Sequence, residues 1–210
     1  MNITIIGASV GVGLATTKRA LELGHTVSTL SRRAIAIANN PKLHTVMGSA
    51  LDENTLKEII NGSDAILVTL GTGISAKATT LYSDFANLLC KIHSEELIQV
   101  PVIVVTGFGA GKSYAFLNTM LKPAFRFILN KVYADKKVME EIIESSTLRW
   151  EIVRPGALNN KPLTEKYRVE TKLFKGMNIG GISRNDVADY LVKEAVAQKH
   201  IGQYPALSNK

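Results

Sequence analysis

The sequence has one cysteine, Cys90, in 210 residues. An internal disulfide is excluded, and a reducing cytoplasm is the expected location. Cys90 falls in a helical apolar pattern with Phe85, Leu88, Leu89 and Ile92, the setting of a packed core thiol. No apolar run reaches the length of a membrane span, so no membrane association is expected. The first residues already read as a strand, which sets the expectation of no secretory signal. Internal repeats and low-complexity stretches are absent, and no metal cofactor is expected. Carboxylates are scarcer than cations, 18 against 25, for a net charge of +7. That excess fits a polyanionic partner. The basic residues are scattered, however, with no long run and no interleaved aromatics. Nucleic acid is therefore not the expected partner; a bound dinucleotide accounts for part of the charge and surface solvation for most of the rest. The length suits one domain, 1–210, and the 46% apolar fraction is enough for a sizeable core.

What is present is concentrated at the amino end. Ile3, Ile5 and Ile6 are β-branched and apolar, as in a strand buried on both faces. Gly7, Ala8, Ser9, Val10, Gly11, Val12 and Gly13 follow at once, and Leu14 to Leu23 reads as a helix. Strand, glycine turn and helix in that order form the context of a dinucleotide-binding fingerprint. Gly7 turns the chain off the strand, Gly11 admits a pyrophosphate to the backbone, and Gly13 lets the helix lie against the strand. Free N–H groups at the helix start then face the phosphates. The spacing is Gly-x-x-x-Gly-x-Gly rather than Gly-x-Gly-x-x-Gly; its position between the right elements is what gives it weight.

A second absence concerns the form of the dinucleotide. His25 to Leu30 reads as the second strand and ends in Ser31, Arg32 and Arg33. Roughly 20 residues past the glycines, NAD sites place a carboxylate for the ribose 2′-hydroxyl. Here a hydroxyl and two guanidinium groups stand instead. Arginine forks match a phosphate bidentately, so the reading is the 2′-phosphate of NADP. Two solvated loop arginines are the competing reading.

Further along, Ala34 to Asn40 is ambiguous between loop and short helix, and Leu43 to Met47 reads as a third strand. Leu51 and Asp52 close the next loop, with Asp52 placed to cap the helix Glu53 to Ile60. Asp64 to Leu70 is a fourth strand, and Leu70, Gly71 and Thr72 form a wall at its carboxyl end, where ligands of such sheets lie. Thr79 and Thr80 can cap a helix running to about Leu97. Val102 to Thr106 is a fifth strand, followed by the glycine-rich Gly107 to Gly111, which suits either a substrate or a lid. Ser113 to Asn130 is mixed; its Tyr114, Phe116, Phe125 and Phe127 suit a flat-ligand pocket or the core. Lys131 to Ser146 reads as a helix that puts Tyr133 and Lys137 one turn apart. Trp150 to Val153 is a sixth strand, and Pro155, Gly156, Ala157 and Leu158 leave it as a rigid turn. Asn159 to Gly181 looks short and irregular. Ser183 or Asn185 can cap a helix Asp186 to Ala197, and Gln203 to Ala206 reads as a last strand. The expected fold is α/β: a Rossmann-type doubly wound parallel sheet with helices on both faces, and a small substrate-side segment at 159–182.

With these residues in hand, the chain resembles the atypical short-chain dehydrogenase/reductases, in particular the NmrA-like and biliverdin reductase B/flavin reductase-like NAD(P)H-binding proteins. The carriers are residues 6–13, Ser31 to Arg33, Leu51 with Asp52, Leu70 to Thr72, Val105 to Gly109, Tyr133 with Lys137, and Ile152 to Leu158. Ile182 to Ala188 completes the set. The resemblance implies NADP(H) as cofactor, with Gly7 to Gly13 on the pyrophosphate, Arg32 and Arg33 on the 2′-phosphate and Asp52 by the adenine. It implies Thr106 and Pro155 to Leu158 beside the nicotinamide. It also implies a catalytic pair: Lys137 holds the nicotinamide ribose and lowers the pKa of Tyr133, which delivers a proton as hydride arrives. The competing reading pairs a half-buried tyrosine with a solvated lysine bonded to Glu141. Thr106 and Gly107 stand where the family carries serine; Thr106 keeps a hydroxyl for a proton relay. A flavin or quinone acceptor needs no dedicated tyrosine, because solvent can supply the proton. The short 159–182 segment leaves the site open, which suits a small or planar acceptor better than a bulky sugar nucleotide. The function expected is an NADPH-dependent oxidoreductase, monomeric or homodimeric, that passes hydride to a flavin, quinone or carbonyl compound. The alternative is a non-catalytic NADP(H)-binding redox sensor of the NmrA-like type that answers to a protein partner. A nucleotide-sugar epimerase is the weaker third.

Overall fold

The computed structural model describes residues 1–73, 77–96, 98–117, 130–174, 177 and 179–209. Apolar β-branched runs alternate with amphipathic helices along the chain, the pattern that builds a covered parallel sheet. The elements are β1 (Asn2–Ile6), α1 (Gly11–Glu22), β2 (Thr26–Ser31), β3 (Leu43–Met47), α2 (Glu53–Ile60) and β4 (Ala65–Val68). They continue as α3 (Leu81–Glu96), β5 (Val102–Val105), a 3-10 turn (Gly111–Phe116), α4 (Asn130–Glu144) and β6 (Trp150–Pro155). Three short strands follow, β7 (Ala157–Asn159), β8 (Tyr167–Glu170) and β9 (Gly181–Ser183), then α5 (Arg184–Ala197) and β10 (Ala206–Asn209).

The main sheet runs β3-β2-β1-β4-β5-β6-β10-β8. Every neighbouring pair is parallel except β10 with β8. The chain moves outward from β1 to β3 and then returns to β4. That reversal opens a crevice at the carboxyl ends of β1 and β4. Every residue of β4, β5 and β6 is buried, because helices cover both faces. Alternation along β1 sends Ile3 and Ile5 to the face covered by α1 and α5, and Ile6 to the face covered by α2, α3 and α4. The doubly wound α/β expectation is met.

Boundaries differ where polar chemistry outweighs pattern. α1 starts at Gly11, three residues before Leu14, so the glycine loop supplies the first helical turn. Residues 34–40 carry no helix. The cap of α3 comes partly from outside the helix. Thr79 Oγ1 accepts from the Leu81 N–H at 3.1 Å, while the Tyr82 and Ser83 N–H groups bond to the Asp135 carboxylate of α4 at 2.9 and 3.2 Å. Leu97, Phe125 and Phe127 lie outside the described residues.

The described part of the segment read as irregular contains strands. β8 extends the main sheet as an antiparallel edge, and β7 pairs with β9. Asp186 explains much of this order. Its buried carboxylate accepts from the Thr164 N–H (2.8 Å), the Glu165 N–H (2.9 Å) and the Ser183 hydroxyl (2.7 Å). Asp189 adds a second knot, taking Arg19 of α1 at 2.7 Å and the Tyr167 hydroxyl of β8 at 2.9 Å. The last strand begins three residues later than Gln203, at Ala206. No helix among the described residues is long and apolar enough to cross a membrane.

Candidate active site

The glycine loop is held against the end of β4. Gly7 has φ +92°, and a Cβ there would stand 2.8 Å from the Thr69 carbonyl oxygen. A Cβ at Gly13 would overlap the Gly7 carbonyl oxygen and stand 2.6 Å from Thr69 Oγ1. The Thr69 hydroxyl fastens the same turn, donating to the carbonyls of Ile6 (3.1 Å) and Gly7 (3.3 Å). Ala8 and Val12 are buried beneath the loop, Ser9 is half-buried, and Val10 is exposed above it. Val10 gives α1 no side-chain cap, and the first turn holds no acid. The opening N–H groups of the helix are thus left for an anion. The Arg184 guanidinium faces this loop, with Nε 3.8 Å from the position a Gly11 Cβ would take, while Nη1 donates to Asn160 Oδ1 at 2.8 Å.

At the carboxyl end of β2, Ser31 is buried and its hydroxyl donates to the Arg33 carbonyl at 2.7 Å. Ser31 therefore shapes the turn that presents Arg32 and Arg33. Both arginines are exposed, and neither guanidinium has a bonding partner among the described residues. A cavity of about 280 Å³ adjoins Arg33, lined by Ser31, Arg33, Ile35, Leu43, Val46 and Met47 among others. Asp52 caps α2, accepting from the Thr55 N–H at 2.8 Å, and the Thr55 hydroxyl together with that N–H holds its carboxyl below the usual range. Leu51 beside it is exposed.

The chemistry-bearing corner lies between β5 and α4. A Cβ at Gly107, where φ is +145°, would stand 2.8 Å from the Tyr133 hydroxyl, so the missing side chain is what admits the phenol. Burial, reinforced by Tyr82 and Glu140, pushes the Tyr133 phenol up to about 12. The lysine that meets it is Lys136. Its Nζ donates to the Thr106 carbonyl at 2.6 Å and lies 5.2 Å from the ring centroids of both Tyr133 and Tyr82. Burial brings Lys136 down to about 8, against the opposing pull of Glu140.

Lys137 is elsewhere. It is 58% exposed and pairs with Glu141 at 3.3 Å. The structure thus places Lys136, not the expected Lys137, beside the Tyr133 ring. The reason is helical phase: Val132, Asp135, Met139 and Glu140 mark the buried stripe of α4, and position 136 borders it while 137 turns outward.

Thr106 belongs to a buried network. Its hydroxyl donates to Glu140 Oε1 at 2.7 Å, and Glu140 takes Arg154 through Nε (3.1 Å) and Nη2 (2.6 Å). All three side chains are buried. The Thr106 proton is committed to this ion pair, and only its carbonyl faces Lys136.

Of the remaining wall residues, Thr72 bonds to the Tyr82 hydroxyl, which ties the Leu70, Gly71 and Thr72 turn to α3. The Pro155 carbonyl accepts from the Phe108 N–H at 2.8 Å, and the Gly156 N–H donates to Leu207 at 2.9 Å. Ala157 and Leu158 stay exposed at the rim. Phe108, Leu117, Met177 and Ala206 form a third apolar cluster under this rim, with Phe116 packed against it.

The cradle, the crevice and the strand order agree with comparison to known sequences. A family model described as NAD(P)H-binding matches residues 7–198. The chain belongs to that NAD(P)H-binding family. Among relatives, an uncharacterized sugar epimerase, YhfK, of Bacillus subtilis (strain 168) is 31% identical over 132 residues, 62% of this chain. The chain covers only 56% of that relative's length. Among solved structures, ChuY, described as an anaerobillin reductase from Escherichia coli O157:H7, aligns with a TM-score of 0.79 at 22% identity. That alignment covers 100% of this chain and 97% of the other. A Veillonella parvula DSM 2008 short-chain dehydrogenase/reductase in complex with NADP aligns with a TM-score of 0.80 at 15% identity, covering 99% and 94%. At those identities the structures show a shared fold.

Within this NAD(P)H-binding fold, several site residues escape sequence reasoning. Thr69 and Glu140 carry no motif; their roles come from neighbours 62 and 34 residues away. Arg184 had a usable signal, a cation opening a helix at the ligand edge of the sheet. Lys136 had one too, in the phase of the buried residues of its helix.

Proposed function

We propose that this protein is an NADPH-dependent reductase that passes hydride to a small or planar acceptor at the carboxyl edge of its sheet. The observation that carries the reading is the cluster of Gly107, Tyr133 and Lys136 on the same sheet edge as the uncapped glycine loop. The residues present fit the dinucleotide. The cradle exists only because Gly7 and Gly13 lack a Cβ, the helix start offers unclaimed N–H groups, and two exposed arginines await an anion.

Gly11, Val12 and Gly13 would hold the pyrophosphate through backbone N–H groups, with Arg184 close by. Arg32 and Arg33 would take the 2′-phosphate, and Asp52 would flank the adenine. The bound nicotinamide supplies the hydride; the protein orients it and stabilises the charge that follows. Lys136, rather than Lys137, takes the lysine's role beside the nicotinamide ribose. Tyr133 stays protonated at neutral pH and can give its proton to a carbonyl oxygen as hydride reaches the carbon, leaving a phenolate beside the Lys136 ammonium. Flavin and quinone acceptors bypass that step and draw the proton from solvent. The short strands β7, β8 and β9 add little cover, which supports a small or flat acceptor. ChuY, a reductase of the same fold, supports the reaction class, and the NADP complex from Veillonella supports the cofactor.

The test is NADPH oxidation against a panel of flavins, quinones and aldehydes. Turnover with at least one acceptor is expected. Tight NADPH binding with no turnover across the panel overturns the reading. One observation favours a sensor instead: the Thr106 hydroxyl, the candidate for a proton relay, donates to the buried Glu140 carboxylate. For that second reading, capture of a partner protein would depend on NADP(H).

A further inference from the structure

Three metal-ligating side chains converge at the edge of the sheet opposite the glycine loop. Glu151 is the second residue of β6, Glu194 lies in the last turn of α5, and His200 follows that helix. One ligand atom from each lies within 4.8 Å of the others. Glu151 has no solvent exposure and Glu194 has 4%, while the His200 ring remains partly open.

The bonds within the group leave a gap. The Tyr190 hydroxyl donates to Glu151 Oε1 at 2.7 Å and lies 3.0 Å from His200 Nδ1. Glu194 Oε1 accepts from the His200 N–H at 2.8 Å, and its Oε2 lies 3.2 Å from His200 Nδ1. Glu151 Oε2 is buried and has no hydrogen-bond partner. Among the described residues no lysine or arginine forms an ion pair with either carboxylate. Two buried carboxylates without a fixed cation are costly, and an orphaned oxygen adds to that cost. A proton relieves one oxygen, and burial together with Glu194 pushes the Glu151 carboxyl up to about 8. A dication relieves both carboxylates and uses the imidazole nitrogen as well.

We propose that Glu151, Glu194 and His200 form a binding site for a divalent transition-metal cation, with Zn²⁺ the best match. Carboxylate oxygen and imidazole nitrogen are both zinc ligands, the imidazole favours a transition metal over Mg²⁺ or Ca²⁺, and three protein ligands leave one position for water. Water reaches it from the open side of His200. The Tyr190 hydroxyl on Glu151 Oε1 is the outer-shell bond that orients a ligating carboxylate. The site lies far along β6 from Pro155, so the cation fastens α5 to the sheet and takes no part in hydride transfer. The inference is independent of the proposed reductase activity.

The test uses the full chain freed of metal by a chelator, titrated with Zn²⁺ by calorimetry and with Co²⁺ by visible absorption. Expected are one equivalent bound, the strong visible bands of four-coordinate Co²⁺, and a rise in melting temperature with Zn²⁺. Glu151→Gln and His200→Gln should each weaken Zn²⁺ binding by more than about tenfold, since even outer-shell changes reach that scale. His200 is partly exposed, so its variant keeps the test valid if the Glu151 variant does not fold. No saturable Zn²⁺ binding overturns the proposal, as does binding unchanged in both variants. A Glu151→Gln chain that melts higher than the parent, with no metal bound to the parent, overturns it in favour of a proton shared by the two carboxylates.

Discussion

Tyr133, Lys136 and Lys137 sit within five residues of one helix, and only two of them share an environment. Tyr133 stood out in the sequence because a tyrosine with a lysine one turn later is a recognisable pattern. The choice between Lys136 and Lys137 was not readable from spacing, since positions three and four residues on both neighbour a helical residue. Burial decides it: Lys136 reaches the Thr106 carbonyl, whereas Lys137 reaches Glu141. Lys136→Gln should therefore lower kcat/KM for a carbonyl acceptor by about 100-fold, the scale of one positioned acid–base group, while Lys137→Gln stays near the parent. Steady-state kinetics of the two variants decide this, and the reverse ranking would restore Lys137. The pH profile is a second readout. The ammonium is the useful form, so kcat/KM for NADPH should fall as pH rises through about 8, the value burial gives Lys136. For stability the sign is opposite. The folded chain binds fewer protons at Lys136 than the unfolded chain between about 8 and 10.5. The cost of this group is full below that window and fades as pH rises through it. Urea midpoints across the window should rise less in Lys136→Met than in the parent.

Elements show a similar division between what pattern reveals and what distant chemistry sets. The strands β3 and the helix α2 have the expected bounds, because a β-branched run and an Asp cap are local signals. β8 and β9 were hidden because they are only four and three residues long, and their order depends on Asp186 and Asp189, remote carboxylates on α5. The start of α3 depends likewise on Asp135 across the face of α4. Asp135→Ala should cost about 1–2 kcal/mol, the value of a lost helix cap, and should loosen α4 beside the site. Urea unfolding measures the loss; an unchanged midpoint would mean that Thr79 alone suffices. The junction of β5, α4 and β6 carries a larger stake. Glu140→Ala would strand Arg154 in the core and should cost about 3–5 kcal/mol, as broken buried pairs do. Glu140→Gln, which keeps hydrogen-bonding capacity, should be milder.

At the scale of the molecule, the alternation of strands and helices announced a doubly wound sheet, and the order β3-β2-β1-β4-β5-β6 follows from right-handed crossovers on either side of β1. The same winding gathers the glycine loop, Arg32, Gly107 and Lys136 on one edge of the sheet, where the opening residues alone had already pointed to a cofactor. The choice between phosphorylated and unphosphorylated dinucleotide rests on fewer atoms, those of Arg32 and Arg33. Calorimetric titration of the parent and of Arg32→Ala, each with NADPH and with NADH, goes to the centre of the account. Saturable binding tighter for NADPH, with most of that advantage lost in Arg32→Ala while NADH binding barely changes, is the expected result. Absence of saturable binding by either dinucleotide, or equal losses for both in the variant, would contradict it.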